Sequence, residues 1–214
     1  RTAGWACASA GEVALDYGGP PVVLQQVAVK ARLDGELLAP LRIEARRGRF
    51  RVAAEGSVKE LFTDPVLDIA VDASGEIADL VSLLGPGMPF SGSASGAFTV
   101  RGVPGNPEVS SRIAYSGGDI AGVKVEKLDL KARLSDRVVV VEDARAALAS
   151  GRASLTGRAD LREVFPEGFL GGKINPRALA YSASASASGI DLNGLFPDQG
   201  GLPANVSGQV EMSG

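Results

Sequence analysis

The sequence predicts an all-β protein: an elongated, curled, antiparallel-rich sheet with an apolar interior and one or two short helices. Three observations carry this. Apolar and polar residues alternate with a period of two along most of the chain. Runs long enough for a full helix are almost absent. The pattern also occurs twice: Val27-Ala28-Val29-Lys30-Ala31-Arg32-Leu33 returns as Leu128-Asp129-Leu130-Lys131-Ala132-Arg133-Leu134, displaced by 101 residues. Further echoes follow in the same order. Gly48-Arg49 returns as Gly151-Arg152 and Lys59-Glu60-Leu61-Phe62 as Arg162-Glu163-Val164-Phe165, both displaced by 103. Ser95-Gly96 through Arg101-Gly102 returns as Ser207-Gly208 through Ser213-Gly214, displaced by 112. Two tandem modules are therefore expected, residues 1–102 and 103–214, forming a continuous array that extends a surface rather than enclosing one pocket.

In the first module Val27, Val29, Ala31 and Leu33 share one face, against Ala28, Lys30, Arg32 and Asp34. Leu37, Ala39, Leu41, Ile43 and Ala45 follow on the apolar side, then Phe50, Val52, Ala54, Gly56 and Val58. Leu67, Ile69 and Val71 come next, and Ala94, Gly96, Phe98 and Val100 close the module. The second module begins with Leu128, Leu130, Ala132 and Leu134. Val138, Val140, Ala144, Ala146 and Leu148 continue it on one side, interrupted by Glu142. Ala153, Leu155, Gly157, Ala159 and Leu161 oppose charged neighbours, and a Ser/Ala alternation from Tyr181 to Ser188 places methyl groups on the apolar side. Val206, Val210 and Met212 end the series. Helical spacing is confined to Ile77–Leu84 and Asp191–Phe196, with single turns at Lys59–Phe62 and Arg162–Phe165 before Pro65 and Pro166.

Roughly a dozen strands at about 4.8 Å each span about 55–60 Å. An eight-residue helix is about 12 Å long, too short to cover such a face. An apolar face of this size exceeds the few hundred Å² that soluble proteins leave in water. The face must curl on itself, close as a β-sandwich (the alternative fold), or hold something apolar.

Composition narrows the function. Net charge is −3, from 25 acidic and 22 basic residues, without a basic segment, so nucleic acid is not an expected partner. Histidine is absent, which removes the commonest general base and metal ligand. The single Cys7 rules out an internal disulfide framework and cysteine zinc sites, and reads as a small strand residue. Glu142-Asp143 lies among strand residues and reads as solvated. Ser91–Gly96 is glycine-rich but lacks the Gly-Lys-Ser/Thr ending of a phosphate loop. Tyr17 and Tyr115 read as framework aromatics at a sheet edge, and Asn205-Val206-Ser207 is a weak glycosylation match within a strand. No catalytic residue, metal or cofactor is expected. The chain has no apolar run near 18 residues and starts and stops inside its own repeat, which reads as a piece of a longer protein.

The alternating segments Val125–Leu134, Val138–Val141 and Gly151–Gly157, together with Gly96-Ala97-Phe98-Thr99-Val100-Arg101-Gly102-Val103-Pro104-Gly105-Asn106-Pro107-Glu108-Val109, resemble the repeating β segments of the TamB family, within the wider AsmA-like superfamily. The resemblance covers nearly the whole chain as a pattern, without a catalytic motif. It implies a curled sheet open along one side, in a periplasmic protein anchored to the inner membrane and reaching toward the outer. It further implies phospholipid transport and outer-membrane biogenesis, with an outer-membrane assembly β-barrel as partner through regions outside this chain. On that reading phospholipid acyl chains lie on an apolar stripe formed by Val29, Leu33, Ile43, Val52, Phe98, Leu128, Leu130, Leu134, Val140 and Leu155. The competing reading is a structural or chaperone-like scaffold that binds unfolded outer-membrane strands by β-augmentation at its free edges.

Overall fold

The computed structural model describes residues 3–15, 22–81, 90–120, 123–149, 151–191 and 206–214. Twelve strands follow in chain order: β1 (Ala3–Leu15), β2 (Val22–Asp34), β3 (Leu37–Arg47), β4 (Phe50–Lys59), β5 (Val66–Glu76), β6 (Ser93–Gly102), β7 (Glu108–Ile120), β8 (Val123–Ser135), β9 (Val138–Leu148), β10 (Gly151–Asp160), β11 (Ala180–Ile190) and β12 (Val206–Ser213). Each pairs antiparallel with its sequence neighbour, so one open sheet runs from β1 to β12 without a crossover. The sandwich alternative does not form, because no second sheet packs on the first among the described residues.

The repeat is visible in the strand bounds. β2, β3 and β4 reappear as β8, β9 and β10 with the same lengths, each displaced by 101 residues. The links after them correspond as well. Leu61 donates its backbone N–H to the Glu36 carbonyl at 3.0 Å, and Leu161 donates to Arg137 at 2.8 Å. The equivalent of Leu61 is thus Leu161, and the 103-residue matches seen in sequence are two residues out of structural register. Phe165 N–H bonds to Leu161 C=O at 2.9 Å, giving the expected single helical turn.

Helix is scarce. Within the expected Ile77–Leu84 segment, α1 (Ala78–Val81) is helical; residues 82–84 and most of Asp191–Phe196 lie outside the described residues, as do Tyr17 and Asn205. The start of α1 is tied to the β3–β4 hairpin, where Gly48 adopts φ +56°. Asp79 Oδ2 accepts the Arg49 N–H at 2.7 Å, and Arg47 Nε donates to the Asp79 carbonyl at 2.8 Å.

Two irregularities revise the face assignments. In β9 the partner of Lys131 is Asp143 while that of Ala132 is Val141, so Glu142 is an extra residue. One inserted residue reverses the alternation. Ala144, Ala146 and Leu148 therefore share a face with Val139 and Val141, whereas Val138 and Val140 lie opposite, beside Arg133 and Arg158. In β3 a register shift between Leu38 and Leu41 does the same: Leu38 joins the apolar face, while Leu37 pairs with Asp34 on the other side and is 39% exposed.

Alanines show which way the sheet curls, since they hold side-chain size constant. On the apolar face Ala31, Ala45 and Ala144 are buried and Ala54, Ala73 and Ala132 half-buried; on the charged face Ala28, Ala53, Ala70, Ala97 and Ala114 are exposed. The apolar face is the sheltered, inner one. Shelter is deepest where Ala31, Leu41 and Val58 pack together with Leu61 laid against them.

Candidate functional site

Following the register across neighbouring strands turns the inner face into rows. One row runs Val29, Ile43, Ala54, Val71, Phe98, Ser111, Ala132, Val141, Gly157, Ala183 and Met212. The next runs Ala45, Val52, Ala73, Gly96, Ile113, Leu130, Ala144, Leu155, Ala185 and Val210. These rows cross the strands, so they follow the long dimension of the sheet. No charged side chain interrupts either one. Ten strand spacings at about 4.8 Å make the first row about 48 Å in contour.

Nine of the ten sequence-predicted groove residues stand on this face. Leu33 pairs with Leu38, Leu134 with Val109 and Val139, and Leu128 with Tyr115 and Ala146. Val140 does not join them, because the Glu142 insertion turns it toward Arg133 and Arg158. Its place is taken by Val139 and Val141. The warning was present in the sequence: strict alternation from Val138 would have pointed Glu142 inward. Ile113, Val71 and Leu61 also belong to the face and were not picked out. β7 in particular alternates Val109, Ser111, Ile113 and Tyr115 against Ser110, Arg112 and Ala114, a pattern with little polarity contrast.

The face is lined but not filled. Among the described residues no large side chain is fully buried, and Leu155, Val210 and Met212 stay 37%, 58% and 47% exposed. Between β8 and β12 the inner face sinks into a depression of about 380 Å³, lined by Leu128, Ala144, Leu155, Ala185 and Val210 among others. Small residues make the room. A Cβ built on Gly96 would sit 2.7 Å from the Phe98 ring, so the missing side chain is what lets that ring lie along the face.

The outer face carries the charge, paired strand to strand. Arg42 meets Glu55 at 3.2 Å, Arg101 meets Asp68 at 3.1 Å, and Lys131 and Arg133 share Glu142 at 2.7 and 3.4 Å. The Lys131 hydrogen bond holds the Glu142 carboxyl below its ordinary value. Asp160 is lowered to about 2, first by hydrogen bonds from the Arg162 side chain and backbone. A depression of about 640 Å³ on this side is lined by Arg51, Arg112 and Lys131 and equally by Asp72, Asp129 and Asp143. Three cations against three anions leave no net field for an ionic ligand. Cys7 is exposed on this outer side, not inside, opposite Lys30.

Tyr115 is the best-sheltered aromatic on the inner face, at 3% exposure. Its hydroxyl donates to the Ser91 carbonyl at 2.7 Å, clipping the end of the β5–β6 link to β7. Burial, aided by the Asp119 charge, raises its pKa. Tyr115 sits within the sheet rather than at its edge. No three acidic or thiol groups converge on a metal-sized site among the described residues, and no helix there is long and apolar enough to cross a membrane. No protein-family model, curated protein or solved structure matches the chain.

Proposed function

We propose that the inner face is a segment of a hydrophobic groove that carries phospholipids, their acyl chains lying along the rows and their headgroups at the open side. The observation that carries this reading is an apolar face continuous across the strands, sheltered by curl and covered by no second layer. Hydrophobic transfer is worth about 0.8 kcal/mol per buried CH₂, so a chain can be held without a shaped pocket. Neighbouring positions along a row are similar in energy, which lets a bound chain slide. The likeness to the TamB family supplies the setting: the periplasm, between inner and outer membranes, with outer-membrane biogenesis as the outcome. Nothing in this reading calls for a catalytic residue, metal or cofactor.

Leu130 and Lys131 provide the test, since they adjoin in β8 and point to opposite faces. A photo-crosslinking residue is placed at each position in living cells. Phospholipid adducts at 130 and not at 131 are expected. Adducts at neither, with protein adducts at 131, would favour the scaffold that binds unfolded outer-membrane strands.

A further inference from the structure

The two ends of the sheet are unguarded. Edge strands of monomeric β proteins are normally protected by Lys, Pro or bulges. Here β8, in the interior, carries six charged residues, whereas β1 carries only Glu12 and β12 only Glu211, and neither edge strand contains Lys or Pro. Every described side chain of β12 is exposed.

The internal repeat shows what such an edge accepts. Register relates β12 to β6, since Met212 occupies on β11 the place that Val100 occupies on β5. It likewise relates β1 to β7, because Gly4 faces Leu33 as Val109 faces Leu134. β6 and β7 pair in the chain. We propose that β12 of one copy pairs antiparallel with β1 of a second copy in the register of the β6–β7 junction, extending the sheet and its inner face head to tail.

Transferring that register sets Val210 opposite Ala6 of the second copy, Met212 opposite Gly4, and Gly208 opposite Ala8. Large exposed residues on one edge meet small ones on the other, as Phe98 meets Ser111 and Gly96 meets Ile113 inside the chain. On the outer side Glu211 falls opposite Trp5, over which Lys30 lies at 5.4 Å. No like charges meet. The contact is heterologous, so it propagates instead of closing as a dimer. It does not depend on what fills the groove.

The same register puts Gln209 opposite Cys7, the sole cysteine. Facing residues of an antiparallel pair lie about 4.5–5.5 Å apart at Cα, within the span of a disulfide. The purified chain carrying Gln209→Cys is oxidised and run without reductant. The expected result is a ladder of dimers, trimers and higher species that collapses on reduction and is abolished by Cys7→Ser. Val210→Cys, turned to the other face, is expected to give no ladder. A monomer only would overturn the proposal. So would a dimer from the wild-type chain, which reports β1 on β1, or a dimer surviving in Gln209→Cys/Cys7→Ser, which reports β12 on β12.

Discussion

Leu155 and Leu41 both face inward, yet the structure gives them opposite duties. Leu155 is 37% exposed and Leu41 only 7%, the latter lying in the cluster closed by Leu61. Burying a leucine side chain fully is worth about 1.5–3 kcal/mol. The share left uncovered at Leu155 therefore offers a bound acyl chain about 0.6–1.1 kcal/mol, and that at Leu41 about 0.1–0.2. Converted at 1.4 kcal/mol per tenfold, Leu155→Ala weakens binding by about 3- to 6-fold and Leu41→Ala by less than about 1.5-fold. Stability runs the other way. Leu41→Ala costs about 2–5 kcal/mol, the range for a buried leucine, whereas the covered share of Leu155 is worth about 1–2 kcal/mol. Displacement of an environment-sensitive fatty-acid probe reads the first quantity and urea unfolding the second. If the two variants lost affinity equally, or neither did, the inner face would be a core and not a binding surface.

Three further outcomes test the details. Val139→Gln is expected to cost about 1–3 kcal/mol by burying an unpaired amide, while Val140→Gln stays within about 0.5 kcal/mol as an outward substitution; equal costs in urea melts would contradict the Glu142 bulge. Asp160 titrates at about 2 in place of 3.8, so the stability it contributes is complete above 3.8 and is lost as pH falls toward 2. Carboxyl chemical shifts followed by NMR should show that midpoint rising in Arg162→Ala, and an unchanged midpoint would remove Arg162 as the cause. Gly56→Ala places a Cβ 2.1 Å from the Asp68 carbonyl oxygen of the paired strand, so overpacking of at least about 1–3 kcal/mol is expected; a variant melting with the wild type would show that β4 and β5 are farther apart than described.

Much of the groove was legible because strand geometry converts alternation directly into faces. Val29, Leu33, Ile43, Val52, Phe98, Leu128, Leu130, Leu134 and Leu155 follow from that rule alone. It fails where a residue is inserted. Val138-Val139-Val140-Val141 is apolar at every position, so its phase is invisible until Glu142 is seen to lie in the bulge. Leu37 was misread for the same reason, ahead of the shift between Leu38 and Leu41.

By itself, then, the sequence determined the strand class, the repeat, the two chemically distinct faces and the scarcity of helix. Each is a local property carried by side-chain order. The tertiary structure alone decided the strand order, the choice of one open sheet over a sandwich, the inward curl, and the two unguarded edges. Strand pairing is made by backbone hydrogen bonds that are nearly the same for every residue type, so alternation says which way a side chain points but not which strand lies beside it.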